Sequence, residues 1–230
     1  MSMHIDILGT WSAKIKRGKR NSSILIDKSI LIDCGPHTIE SLLDLNIDPC
    51  IINPVLITHM HLDHFSGIFE LIWYRSMSCC EPLIIMGPDN IKDTVSKILN
   101  LYYSPENFYN FNVVDKYDGI EKFRGIHPAP DYGYRIERDK TLFFSGDTSL
   151  SDDIIKGAYG SDILMHEATY PSGMEEEAKI HGHSTVSQAL DVLKTSKSKM
   201  LIPMHLSDYS LNEVKSMNIY IPKENNYIDL

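Results

Sequence analysis

No run in this sequence is apolar and long enough to form a membrane-spanning helix, and residues 1–10 lack the basic stretch and apolar core of a secretory leader. A soluble, cytoplasmic protein with no membrane partner is expected. Cysteine is scarce: Cys34, Cys50, Cys79 and Cys80 form no C-x-x-C pair and two are adjacent, which argues against a disulfide framework and for a reducing compartment. Low-complexity tracts, internal repeats and Pro/Gly/Ser linkers are missing as well, so nothing divides residues 1–230 and a single domain is expected. Positive charge is in deficit, 22 Lys and Arg against 31 Asp and Glu, which excludes a surface that coats nucleic acid indiscriminately.

What is present fits an α/β protein. The chain is 43% hydrophobic and 23% charged, and 230 residues are enough to bury a core without metal or disulfide staples. Short β-rich apolar runs alternate with amphipathic stretches. Strands are expected at 3–8, 23–27, 29–33, 54–58, 83–86, 123–127, 133–137, 141–145, 162–166 and 200–204, several ending in His, Asp or Glu. Helices are expected at 38–46, 65–74, 89–101, 150–157, 185–195 and 211–217. Turn signals at Asp27-Lys28 and around Arg138-Asp139 make some neighbours antiparallel, so the sheet is mixed.

The densest chemistry is Thr58-His59-Met60-His61-Leu62-Asp63-His64, directly after an apolar run. In an extended chain His59 and His61 share a side and reach one ion, while Asp63 and His64, beyond the bend, face a second. A solvated strand-to-helix loop explains one histidine; it does not explain three beside a carboxylate. Further downstream His127, Asp147 and His205 each close a hydrophobic run, which would bring them to a common sheet edge.

H-x-H-x-D-H after an apolar strand resembles the signature of the metallo-β-lactamase superfamily. The resemblance implies a four-layer αβ/βα sandwich of two mixed β-sheets flanked by helices. It also implies two divalent ions, with Zn(II) the default and Mn(II) or Fe(II) compatible with the same imidazole and carboxylate set. His59, His61 and His127 would bind one ion, Asp63, His64 and His205 the other, and Asp147 would bridge them; Asp33, in Leu31-Ile32-Asp33-Cys34-Gly35, would support the ligand loop by hydrogen bonds. His166-Glu167-Ala168-Thr169 and Gly182-His183-Ser184-Thr185 resemble ribonuclease Z and its short phosphodiesterase relatives, where a Glu–His pair stands beside the metals. Glu167 would then orient His183 as proton donor to the leaving oxygen, with Asp63 also at the catalytic centre, while His166 reads as structural.

The activity so implied is hydrolysis of a phosphodiester, RNA or a small cyclic or nucleotide phosphodiester, by a metal-bound hydroxide. Only nineteen residues separate His127 from Asp147, where ribonuclease Z inserts a long tRNA-gripping arm; this chain lacks room for it. The cationic stretch Lys14, Lys16, Arg17, Lys19 and Arg20, together with Ser184, is a candidate set of substrate phosphate contacts. Trp73 and Tyr74 are candidate contacts in a homodimer. Hydrolysis of another ester (lactone, thioester or sulfate ester) on the same fold is the alternative activity.

Overall fold

Alternate residues of the same strand go to different cores, and two sheets are thereby covered on both faces. The structure, a computed structural model, describes residues 3–229. The first sheet gathers β1 (His4–Gly9), β2 (Ser23–Ile26), β3 (Ile30–Ile32), β4 (Val55–Leu56), β5 (Leu83–Met86) and β6 (Phe111–Val113). The second holds β7 (Ile120–Arg124), β8 (Tyr132–Glu137), β9 (Thr141–Phe144), β10 (Ile163–Glu167) and β11 (Leu201–Met204). The last strand, β12 (Asn226–Asp229), returns to pair with β1. Strand order is β12-β1-β2-β3-β4-β5-β6 in one sheet and β11-β10-β9-β8-β7 in the other. Both are mixed: β3-β4-β5-β6 and β9-β10-β11 run parallel, while β1-β2-β3 and β7-β8-β9 are antiparallel.

The helices are α1 (Thr38–Asp44), α2 (Leu62–Phe65), α3 (Ile68–Ser78), α4 (Ile91–Leu101), α5 (Asp152–Gly157), α6 (Glu175–His181), α7 (Val186–Thr195) and α8 (Asp208–Ser216). Leu25, Leu31, Val55 and Ile85 face Leu42, Ile72 and Val95 of α1, α3 and α4. Ile24, Ile26, Ile30 and Ile32 turn the other way and meet Leu142, Phe144, Ile163 and Met165 of the second sheet. Phe143 and Leu164 form the outer face of that sheet with Ile154, Ala189 and Val214 of α5, α7 and α8. Helices, sheet, sheet and helices thus make the four layers expected from the sequence, and the two hairpins fall at Asp27-Lys28 and 138–140.

Differences cluster where side chains leave the strand ladder. The expected strand 54–58 pairs only over Val55–Leu56, because the Thr58 N–H is taken by the Asp33 carboxylate instead of a neighbouring strand. The expected helix 65–74 starts earlier and breaks in two between α2 and α3. At the break Gly67 donates to the Cys34 carbonyl, and a Cβ there would sit 2.2 Å from the Gly35 oxygen, so only glycine fits. The strand expected at 123–127 ends at Arg124, leaving His127 in a loop. The three-residue β6, too short to show a period, the exposed β12 and the Glu-rich α6 lie outside the expected elements.

The disulfide expectation is overturned. Cys50 and Cys79 are bonded, with Cα atoms 5.7 Å apart, although 29 positions separate them. The helix end at Cys79 is carried back to the turn Pro49–Ile51 by Arg75, whose guanidinium donates to the carbonyls of Pro49, Cys50, Ile52 and Glu81. Among the described residues no helix is long and apolar enough to cross a membrane.

Candidate metal centre

Every residue assigned to the ligand set leaves a strand or opens a helix at one edge of the two sheets. His59 follows β4, His61 precedes α2 in extended conformation, and Asp63 and His64 lie within α2. His127 follows β7, Asp147 follows β9, and His205 follows β11 with a left-handed φ of 52°. The structure brings all seven together. His59 Nε2 and His127 Nε2 lie 3.0 and 3.1 Å from His61 Nδ1. His205 Nε2 and His64 Nε2 lie 3.2 and 3.4 Å from Asp63 Oδ2. Asp147 Oδ2 sits between these groups, 3.8 Å from His59 Nε2, 3.4 Å from His64 Nε2 and 3.3 Å from His205 Nε2.

The far nitrogens explain why those ring atoms face inward. His59 Nδ1 lies 2.8 Å from Asp131 Oδ2, His64 Nδ1 is 2.7 Å from Asp33 Oδ2, and His127 Nδ1 donates to the Gly182 carbonyl at 2.8 Å. His205 Nδ1 is 2.8 Å from the Thr169 hydroxyl. With Nδ1 of each of these four rings held by a second partner, it is Nε2 that each ring presents to the common space. Asp33 also accepts from the Thr58 N–H and hydroxyl, so it holds both the ligand loop and one ligand. Asp131, Thr169 and the Gly182 carbonyl were assigned no role from sequence; Thr169 lay inside a quoted motif, whereas nothing local marks Asp131.

Burial and charge fit divalent ions. Asp33, Asp63, Asp131, Asp147 and Glu167 are all buried, and among the described residues none forms an ion pair with Lys or Arg. Several buried carboxylates without a cation are expensive, and imidazoles alone must offset them here. His64 Nε2 is buried with no hydrogen-bond partner. Burial disfavours a charged His64, yet Asp147 and Asp33 hold it well above its usual value. Burial, with the neighbouring imidazoles, keeps His59 well below, and burial likewise lowers His61 and His127. Although burial opposes it, the His205 hydrogen bond and the neighbouring His64 and His205 charges keep Asp63 ionised far below the carboxylate range. Converging ring nitrogens, ionised carboxylates and an orphaned buried nitrogen form a donor set suited to divalent ions.

Beside this centre His183 Nδ1 lies 2.9 Å from Glu167 Oε1 and 3.9 Å from Asp147 Oδ2. Glu167, at the end of β10, also accepts from the Thr148 N–H and the Thr169 hydroxyl. Burial would lower His183, but the Glu167 charge and hydrogen bond push it up to about 9. His166 is buried and gives its Nδ1–H to the Glu167 carbonyl, in keeping with a structural role.

The substrate-contact set divides. Among the described residues Lys14 and Arg17 form no ion pair, and they line a cleft of about 960 Å³ that also reaches Asp63 and His37. Lys16 pairs with Asp208, and Lys19 lies 3.9 Å from Glu224; both ammonium groups stand over Trp11, at 5.1 and 5.3 Å. Arg20 lines the same cleft but is committed to Ser41, Asp44 and Asn225, at 2.7 to 2.8 Å. Ser184 does not fit its expected role: it is fully buried and donates to the Thr148 carbonyl. Trp73 rests edge-on against Phe108, 37% exposed.

Two mixed sheets packed face to face, flanked by helices and carrying His and Asp at one edge, make this a metallo-β-lactamase-fold protein. The short form of human tRNase Z superposes with a TM-score of 0.82 at 24% identity, covering 98% of each chain. YhfI from Bacillus subtilis superposes at 0.86 with 18% identity, covering 100% of this chain and 99% of its own. Residues 3–221 match the family described as anti-Pycsar protein Apyc1, and the chain belongs to that family. Ribonuclease BN of Erwinia tasmaniensis is 29% identical, with 91% of each chain covered. That alignment runs over 276 positions against 230 residues here, so at least 46 positions of the relative (276 minus 230) have no counterpart in this chain.

Proposed function

We propose that this chain, folding as one domain without the tRNA-gripping arm, is a metal-dependent phosphodiesterase that holds two divalent ions. His59, His61 and His127 would hold one, Asp63, His64 and His205 the other, and Asp147 both; zinc suits the set, as do manganese and iron(II). The observation that carries this reading is the position of Asp147, whose Oδ2 lies within 3.8 Å of nitrogens from both groups. Divalent ions bound there supply Lewis acidity toward phosphoryl oxygens and lower the pKa of water.

The remaining chemistry belongs to the chain. Glu167 fixes the proton of His183 at Nδ1 and keeps the imidazolium charged at neutral pH. His183 Nε2 makes no hydrogen bond among the described residues, so it is the atom that gives a proton to the leaving oxygen. Relatives named ribonuclease Z and BN support a ribose phosphodiester as substrate. The positions absent here support a small one, such as a cyclic ribose phosphate, over a tRNA precursor.

The deciding assay offers metal-analysed protein a bis-aryl phosphodiester, a cyclic ribose phosphate and a 3′-extended tRNA precursor. Hydrolysis of the two small esters is expected. Cleavage of the tRNA alone would overturn the substrate assignment, and no hydrolysis of any of the three by protein carrying two ions would overturn the activity.

A further inference from the structure

Asp131 takes part in both halves of the centre, although its oxygens are not among the converging ligand atoms. It precedes β8 and is fully buried. Its Oδ2 lies 2.8 Å from His59 Nδ1 and accepts the backbone N–H of Asp147 at 3.3 Å. One carboxylate oxygen therefore engages a ligand of the first group and the residue common to both.

The surrounding backbone is shaped to admit this carboxylate. A Cβ at Gly125 would come within 2.7 Å of Asp131 Oδ1, and one at Gly146, whose φ is +66°, within 2.5 Å. Glycine is therefore needed on both sides of it. The main chain converges at the same point: the Gly125 N–H donates to the Asp131 carbonyl, closing the loop that carries His127. The Tyr132 N–H donates to the Thr58 carbonyl, tying the second sheet to the residue before His59.

A neutral acceptor could satisfy the same two donors at less desolvation cost. A carboxylate, ionised when cations occupy the centre, would add charge behind the far nitrogen of His59 and make the near nitrogen a better donor to them. We propose that Asp131 is the positioning residue of the whole centre, acting through the His59 ring and the Asp147 backbone so that it sets the affinity of both ion positions together. This rests on the reading that the centre holds two ions.

The test is metal binding, measured by competition with a chromophoric chelator on wild type, Asp131→Asn and Asp131→Ala, beside unfolding midpoints and the visible spectra of the Co(II) forms. Asp131→Asn keeps an acceptor for His59 but no charge, and both ions should bind roughly tenfold more weakly, with a shifted Co(II) spectrum. Asp131→Ala should weaken both by about 100-fold; if it does not fold, Asp131→Asn still decides. Folded Asp131→Asn with wild-type dissociation constants overturns the proposal, as does weakening confined to one ion. A wild-type protein that binds neither ion sinks the underlying reading of the centre instead.

Discussion

The metal centre and the cationic loop both carry a high density of chemically capable side chains, and the structure treats them in opposite ways. In the centre, the far nitrogens of His59, His64, His127 and His205 are each held by another group, so the near nitrogens have nowhere to go but inward. In the loop, Lys16, Lys19 and Arg20 spend their charge on Asp208, Glu224 and Asp44, while Lys14 and Arg17 carry no ion pair among the described residues. Shared chemistry in the sequence therefore means different things. A buried cluster is fixed by second partners and is poised for a ligand, whereas an exposed cluster is mostly neutralised by its surroundings and contributes stability in small amounts.

The contrast breaks most sharply at Asp147. If the centre is one unit, Asp147→Ala should lose both ions and activity together. The expected fall in kcat/KM is about 10³-fold or more, above the roughly 10²–10³ that a single electrostatic donor carries. Metal analysis alongside the assay checks it, and a variant that keeps two ions would separate Asp147 from the ligand set.

His183→Ala should behave differently from Asp147→Ala, because the ligand set is untouched. Metal content should stay at the wild-type level while turnover of an ester with a poor leaving group drops by about 10²–10⁴. An activated aryl ester, which needs no proton donor, should be far less affected; equal losses on both would rule out the acid role.

The same group gives a pH signature. His183, raised to about 9, is protonated at neutral pH, so the acid-dependent rate should fall as pH rises through about 9. Glu167→Gln removes the charge responsible, and that limb should move toward the ordinary imidazole value near 6.5. Because the folded value lies above the unfolded one, the pairing stabilises the fold fully below about pH 6.5 and that contribution is lost as pH passes about 9. A pH–rate profile with an unmoved alkaline limb in Glu167→Gln would detach the carboxylate from the imidazole.

How much of this was legible follows the range of the interactions. His59, His61, Asp63 and His64 lie within six residues, so strand and turn geometry alone groups them; Asp147 and His205 could be placed because each follows an apolar strand that must stop at the sheet edge, whereas His127, in the loop after β7, was placed by the motif resemblance. Glu167 and His183 depended on motif resemblance; in the structure they lie 2.9 Å apart. Asp131 was invisible because its role comes from a loop that folds back through Gly125 and from a bond between sheets at Thr58, neither of which leaves a local pattern. Cys50 and Cys79 were misread for the same reason: their approach depends on Arg75 gathering carbonyls from two distant turns. Asp44, Asp208 and Glu224, which neutralise most of the basic loop, likewise arrive from remote segments that periodicity cannot rank.

The smallest effects should come from the loop and should separate its two kinds of cation. Lys14→Ala combined with Arg17→Ala removes charges that face the cleft, and KM for an anionic substrate should rise severalfold with a flatter dependence on salt, since such charges act through screened attraction. Metal content and kcat should not change. Arg20→Ala should do the reverse, leaving KM in place and lowering stability by about 1 kcal/mol, as expected for a part-exposed ion pair with added hydrogen bonds. Steady-state kinetics across ionic strength, set beside denaturant midpoints, measures both. If Arg20→Ala raised KM as much as the double variant, the ion pair with Asp44 would have to give way when substrate enters, and the division between neutralised and available cations would dissolve.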